Sequence, residues 1–219
     1  MGRDKHPRER QADKLARRKA SRDSYDRILI ICEGKKTEPQ YFKEIRKHYR
    51  LHTANISILP SDYGTSPQQV VAFARDKCLE TKNWEQVFCV FDRDDHLSYY
   101  DAQQTAKTLN NKFKNENKQP IRFTVIPSNP CFELWLLLHF QSVTREMHRD
   151  DVIRSLNQPG LLPGYAKGEE GYFQRTKHLL NEAYANTTKM NEERQRTGRE
   201  NPFTAVDELV ILLTSLKSE

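Results

Sequence analysis

The chain has 219 residues, of which 36% are hydrophobic and 30% are charged. This length allows one substantial domain with its own core, or a domain with a smaller appendage. The formal net charge of +6 favours a polyanionic partner such as nucleic acid, although a basic tail on an ordinary soluble protein explains the same charge.

Residues 1–26 are rich in Lys and Arg and almost lack apolar side chains. This composition predicts a flexible or partly helical basic arm. Contact with phosphate groups and simple solvation of the tail are both compatible with it.

From residue 27 onwards, apolar strand patterns alternate with helix patterns. Strands are predicted at 27–32, 55–60, 87–91 and 121–128, and helices at 37–49, 66–81, 98–114 and 131–140. Ser66 and Gln69 form a capping-box pattern at the second helix, and Thr37 is the predicted N-cap of the first. Alternation at this spacing indicates right-handed βαβ units. We therefore predict an α/β fold with a Rossmann-like parallel sheet of about four strands flanked by helices.

The strand signal ends at about residue 145. Helices are predicted at 168–189 and 203–217, separated by a polar connection over 190–202. The expected organisation is a basic arm (1–26), an α/β core (27–145) and a mainly helical C-terminal region packed on that core (146–219).

Further sequence patterns indicate which residues lie in the protein core and in which cellular compartment the protein is expected. Cys32 and Cys89 lie in apolar runs and are predicted core residues, as is His139 on an apolar helix face. The cysteines include no C-x-x-C pair, which argues against a zinc site or a disulfide framework. No segment has the length of a membrane span or an apolar leader, so we expect a cytoplasmic protein without a membrane partner.

Carboxylates follow two of the predicted strands. Glu33 ends the first strand, and Asp92, Asp94 and Asp95 follow the third. Because ligands of open parallel sheets bind outside the carboxyl ends of the strands, these side chains are expected to converge. Grouped carboxylates repel one another unless a cation neutralises them. Oxygen-only ligands suit Mg²⁺ or Mn²⁺, which can activate water for phosphoryl displacement.

The same carboxylates also fit simpler structural roles. Glu33 followed by Gly34 is typical of a turn, and the acidic run is compatible with a solvated loop paired to Arg93. A phosphotransferase pattern would place Asp-x-Asp after the first strand, whereas here it follows the third. The chain has neither a G-x-G-x-x-G motif nor a P-loop, which argues against dinucleotide binding and nucleotide hydrolysis.

A Glu after the first strand and an Asp-x-Asp after the third resemble the metal-binding pattern of the Toprim domain, found in topoisomerases, primases and overcoming-lysogenization-defect nucleases. Over residues 27 to 217 the chain resembles more closely the RloB family, which is encoded near restriction loci and linked to abortive infection. Five elements carry this resemblance, in the order expected for the family: ILIICEGKKTEPQYF, VFDRDDH, SNPCFELWLLLHF, Tyr165-Ala166-Lys167 and NPFTAVDELV. The resemblance implies a Toprim-like, metal-dependent nuclease in antiphage defence, often acting beside an ABC-type ATPase.

The resemblance also implies roles for the residues at the strand ends. Glu33 would be the Toprim glutamate, acting as a metal ligand or as a general acid or base. Asp92 and Asp94 would bind Mg²⁺ or Mn²⁺, and Asp95 would contribute through water or a second metal.

The remaining candidate residues lie outside these two strand ends. Glu133 lies in the first turn of the helix after the fourth strand, where the helix dipole stabilises a negative charge. This accounts for it structurally, but the family motif favours a role in the site. Lys167 is the candidate cation for the scissile phosphate, although an ordinary exposed lysine fits its loop equally. Lys35, Lys36 and Asn129 are expected to contact nucleic acid.

The sequence thus predicts hydrolysis of DNA or RNA phosphodiester bonds. Two alternatives remain open: a non-catalytic nucleic-acid sensor or regulatory subunit working with an ATPase, and phosphoryl or nucleotidyl transfer. The oligomeric state is open as well, including a homo-oligomer.

Overall fold

The strands of one sheet organise the chain in the computed structural model, which describes residues 25–93 and 96–216. Most of the basic arm, together with Asp94 and Asp95, lies outside the described residues. The strands are β1 (Ile28–Cys32), β2 (Ile56–Pro60), β3 (Gln86–Asp92), β4 (Arg122–Asn129) and β5 (Phe203–Thr204). The helices are α1 (Thr37–His48), α2 (Pro67–Thr81), α3 (Tyr99–Leu109), α4 (Glu133–Leu138), α5 (Arg149–Leu156), α6 (Tyr172–Thr176), α7 (Leu180–Thr197) and α8 (Val206–Ser215), and a 3₁₀ turn (Lys177–Leu179) joins α6 to α7.

The strand order is β2-β1-β3-β4-β5. β1, β2, β3 and β4 are parallel to one another, which confirms the predicted Rossmann-like α/β fold. β5 pairs antiparallel with β4, opposite Ser128 and Asn129. Sequence patterns did not predict this fifth strand, because two residues are too few to show a period. The hydroxyl groups of Ser128 and Thr204, 3.0 Å apart, join it to β4.

Both faces of the sheet are covered. Ile28, Ile30 and Cys32 belong to a hydrophobic cluster shared with α1, α4 and α8. Leu29 and Ile31 face the opposite cluster, formed with α2 and α3. A strand buried on both sides needs an unbroken apolar run, which is what the sequence of β1 provides.

The helix starts agree with prediction in one case and differ in the other. Ser66 and Gln69 form the expected capping box at α2. Thr37 is not the N-cap of α1, since Lys36 holds that position without a side-chain cap. The Thr37 hydroxyl instead accepts a hydrogen bond of 3.0 Å from the backbone N–H of Gly168, a tertiary contact that local spacing cannot reveal.

The C-terminal region contains more helix than predicted. α7 continues through the predicted polar connection and ends at Thr197, with Gly198 in the left-handed conformation after it (φ 71°). An ion pair between Arg196 and Glu193 supports this polar last turn. α5 was not predicted either, because it buries only Val152 and Leu156.

The predicted interior residues are confirmed. Cys32, Cys78, Cys89 and Cys131 are all buried and free. His139 is buried, and its Nδ1 is bonded to the carbonyl of Trp135. Burial lowers the pKa of His139 to about 4, so this imidazole is a neutral core group at neutral pH. Among the described residues, none of the helices combines the length and the apolar character needed to cross a bilayer.

Candidate active site

Glu33 and Asp92 meet at the carboxyl edge of the sheet. Glu33 follows β1, and its Oε2 accepts a hydrogen bond of 2.9 Å from the backbone N–H of Asp92, the last residue of β3. Parallel pairing of the strands brings their ends to one edge. The structure therefore places the two predicted residues side by side although 59 positions separate them.

Two further carboxylates complete what we call the acidic cluster: Glu33, Glu38, Asp92 and Glu133. Their exposed fractions are 8%, 4%, 4% and 1%, so all four are buried. Burial, together with the charges of Glu38, Glu133 and Glu33, raises the pKa of Asp92 well above its ordinary value. The charges of these buried carboxylates therefore influence one another.

Glu38 is the member that sequence reasoning missed. It lies in the first turn of α1, where an acidic residue is expected from the helix dipole alone. Burial raises the pKa of Glu38, the charge of Glu133 raises it further, and Lys167 and Arg149 act in the opposite direction. A methyl group on Gly34 would overlap the Glu38 carboxylate. The absence of a side chain at Gly34 therefore leaves space for the Glu38 carboxylate. The sequence had suggested only that Gly34 forms a turn.

Two oxygens of the acidic cluster lack hydrogen-bond donors among the described residues. They are Glu38 Oε2 and Glu133 Oε2, and both are buried. A buried polar atom without a partner is unfavourable and rare in folded proteins. These oxygens are therefore available to bind a cation or a proton.

Two basic side chains, Arg149 and His96, border the acidic cluster. Arg149, at the start of α5, places Nη2 3.2 Å from Asp92 Oδ2. His96 Nε2 lies 3.6 Å from Glu33 Oε1. Neither Arg149 nor His96 was a predicted site residue. Arg149 belongs to no recognisable motif, and although His96 ends the VFDRDDH element, only the fold shows that it approaches Glu33.

The loop that carries Lys167 is anchored to the acidic cluster. Tyr165 donates a hydrogen bond of 2.7 Å to Glu133 Oε1. Burial, the Glu133 charge and this bond all raise the pKa of Tyr165, so its hydroxyl stays protonated and remains a donor. Gly168 is tied to Thr37 through its backbone N–H, and exposed Lys167 lies between these two anchors.

Cys131 lies close to the acidic cluster but is a poor nucleophile. Burial raises the pKa of this thiol, and the charges of Glu133 and Asp92 raise it further. The reactive form of cysteine is the thiolate, so Cys131 acts here as a packing residue.

A protein-family model described as RloB-like protein matches residues 28–213, which is most of the chain. The chain belongs to the RloB-like protein family. This confirms the predicted family, which is associated with restriction loci and a defence context. No curated protein and no solved structure matches the chain.

Of the three residues of this RloB-like protein that were predicted to contact nucleic acid, two are exposed near the acidic cluster and one bonds the protein itself. Lys35 and Lys36 are exposed just before α1, next to the acidic cluster. Asn129 donates its side-chain N–H to the carbonyl of Glu200 at 2.8 Å. Its amide therefore holds the segment before β5, and its contact with nucleic acid stays a prediction.

The donor chemistry of the acidic cluster fits a hard divalent cation, because all donors are carboxylate oxygens and two lack partners. Within residues 25–93 and 96–216, no group of three or more His, Cys, Asp or Glu side chains is arranged so that it could hold a metal ion. The predicted ligand set of Glu33, Asp92 and Asp94, with Asp95 beside it, extends beyond those residues. The metal site therefore stays a prediction.

Proposed function

We propose that this RloB-like protein is a divalent-metal-dependent nuclease that acts in antiphage defence. The observation that supports this proposal is the acidic cluster, with four carboxylates buried at the carboxyl edge of a parallel sheet. Burying like charges together is unfavourable, and such clusters of perturbed groups are typical of functional sites.

Mg²⁺ or Mn²⁺ would be held by Glu33, Asp92 and Asp94, with the free oxygens of Glu38 and Glu133 close by. When bound, the cation supplies Lewis acidity and lowers the pKa of coordinated water. Glu33 is held towards Asp92 by the backbone N–H of that residue. The Glu33 carboxylate is therefore oriented before any substrate binds.

A cation at the border of the acidic cluster would stabilise the negative charge of the scissile phosphate. Lys167 is exposed and close enough to Glu38 to lower the pKa of that carboxyl. Its ammonium group would stabilise negative charge on the scissile phosphate. Tyr165 and Gly168 hold the loop on either side of Lys167 and so restrict where this charge can lie.

A non-catalytic nucleic-acid-binding role is the second candidate, and one observation favours it. Arg149 forms an ion pair with Asp92, so a protein cation already neutralises one of the carboxylates proposed as metal ligands. In this role the protein would be a sensor or regulatory subunit of a complex with an ABC-type ATPase.

Cleavage assays separate the two candidates. Labelled DNA, tRNA and other RNA are incubated with the protein and Mg²⁺, Mn²⁺ or EDTA, with and without the proposed ABC-type ATPase partner. We expect cleavage with a metal and none with EDTA. Extended instead of shortened products would indicate nucleotidyl transfer. If no substrate is cleaved with any metal, even beside the ATPase, the nuclease proposal is wrong and the binding role remains.

A further inference from the structure

A groove of about 960 Å³ runs along α1. One wall is α1, which carries Glu38 in its first turn and extends to His48. The other wall begins at Glu170 and Gly171, just beyond the loop that holds Lys167. The first lining residue of each wall, Gln40 and Glu170, lies two and three positions along the chain from Glu38 and Lys167, respectively.

The α1 wall presents a row of side chains on one face. Lys36, Gln40, Lys43 and Lys47 follow one another at intervals of four, three and four residues, which places them on a single face of the helix. The last three line the groove, as does Arg50 beyond the helix end. Lys36 continues the row towards the acidic cluster, where its side chain lies against Gly168.

These cations are not neutralised by neighbouring carboxylates. Among the residues that the structure describes, Lys43, Lys47 and Arg50 have no ion-pair partner within 4.0 Å. Arg46, at the floor, uses one N–H to bond the carbonyl of Ile56 at 2.8 Å and is also without such a partner there. His48, which lies 3.5 Å from the ammonium of Lys177, adds a titratable group to the rim.

Two carboxylates line the groove, and only one of them faces solvent. Glu44 is buried, and its oxygens accept hydrogen bonds from the backbone N–H groups of Gly171 (2.5 Å), Phe173 (3.1 Å) and Gln174 (3.4 Å). This carboxylate therefore holds the start of α6 against α1 and builds the wall. Glu170 is exposed. The groove therefore keeps an excess of positive charge.

We propose that this α1 groove binds the sugar-phosphate backbone of a nucleic-acid strand and directs it to the acidic cluster, an inference that rests on the nuclease proposal and adds the path of its substrate. α1 is about 18 Å long at 1.5 Å per residue. This length matches the axial span of about five nucleotides at 3.4 Å each. Separated lysines along a concave path suit the regular charges of a phosphate backbone.

The test compares two charge-reversed double variants of the full chain. Lys43→Glu with Lys47→Glu changes the groove. Lys107→Glu with Lys112→Glu makes the same change in net charge at exposed positions on and after α3. Binding of short fluorescein-labelled single-stranded DNA and RNA is measured by anisotropy in EDTA over a range of salt concentrations. Circular dichroism checks folding, and a Lys43→Gln with Lys47→Gln variant replaces the groove variant if that one does not fold.

We expect the groove variant to bind at least about tenfold more weakly. The slope of log K against log salt should fall in magnitude by about 1.4, because each phosphate neutralised on a single strand contributes about 0.7. The control variant should lose much less affinity. Equal losses in both variants, or no binding by the wild type, would overturn the proposal.

Failure of this inference and failure of the nuclease proposal give different results. Groove-dependent binding without cleavage under any metal supports the groove and contradicts the nuclease. Cleavage that the groove variant does not weaken supports the nuclease and contradicts the groove. Poly-glutamate is included as a probe, and groove-dependent binding of this acidic polypeptide without binding of oligonucleotides would assign the groove to a protein partner instead.

Discussion

The Glu33 carboxylate accepts a hydrogen bond from the backbone N–H of Asp92 and thereby joins the ends of β1 and β3. Each residue lies at the end of a strand that is buried on both faces. The bond fixes the Glu33 carboxylate relative to the backbone of Asp92 before any ligand is present. It places the candidate chemistry at the sheet edge where parallel α/β folds bind ligands.

The first prediction concerns these two residues. Asp92→Asn and Glu33→Gln should each lower nuclease activity at least about 100-fold, since each removes a negative charge proposed to bind the metal while keeping side-chain size. Gel assays with Mg²⁺ and Mn²⁺ measure the loss. Asp101→Asn and Glu182→Gln alter exposed carboxylates elsewhere and should leave cleavage unchanged. Intact cleavage in both site variants would show that the assigned site is wrong.

Lys167 should affect turnover more than binding. Lys167→Met keeps the length of the side chain but removes its charge, so kcat should fall about 100-fold with little change in KM. Lys167→Arg should recover part of the activity. The exposed Lys189→Met variant is the matched control. A rise in KM with unchanged kcat would show instead that Lys167 only helps to hold the substrate.

Tyr165 should contribute to stability through its bond to Glu133. Tyr165→Phe removes the donor and leaves a buried carboxylate without it, which should lower the free energy of unfolding by about 1.5–3 kcal/mol. Urea denaturation monitored by circular dichroism measures this. Tyr100→Phe removes a hydroxyl that bonds the exposed Glu200 carboxylate, and its effect should be smaller. Equal effects of the two variants would contradict the importance of the buried bond.

Removing the charge of Glu38 should stabilise the protein at neutral pH. Because burial and the Glu133 charge raise the pKa of Glu38, the folded protein holds this proton to higher pH than the unfolded chain does. The associated stability is full below the unfolded carboxyl pKa of about 4.3 and is lost as pH rises through the folded pKa. Glu38→Gln avoids that loss.

We therefore expect Glu38→Gln to increase the free energy of unfolding by about 1–3 kcal/mol at neutral pH. The gain should disappear as the pH falls towards about 4. Denaturation in EDTA across this pH range tests the prediction, with the exposed Glu182→Gln as the control. A variant less stable than the wild type at neutral pH would show that the Glu38 charge is compensated in the folded protein.

Local patterns were sufficient for the sheet and for one pair of site residues. The apolar runs of β1 and β3 predicted buried parallel strands, and strand ends of one sheet necessarily share an edge. Convergence of Glu33 and Asp92 at this edge follows from these two facts, whereas their direct contact also requires β1 and β3 to be adjacent, which the strand order shows. The capping box of Ser66 and Gln69 was also predictable from the sequence, because it involves only residues three positions apart.

Glu38, Arg149 and His96 could not be assigned in the same way. Glu38 looks like an ordinary acidic residue at a helix start, and α5 with Arg149 buries too few apolar side chains to show a helical period. His96 ends the VFDRDDH element, but its spacing does not show that it approaches Glu33. Their roles depend on distances across the fold.

By itself, the sequence determined the family, the parallel sheet and the edge at which carboxylates collect, because each depends on local periodicity, on motif order or on a general rule of strand topology. Only the tertiary structure decided which charges share one buried volume. It brought Glu38, Glu133 and Arg149 to the strand ends, and it directed Glu44 to hold α6 beside α1. The physical reason is that burial and Coulomb interactions depend on separation in space, which residue spacing along the chain does not specify.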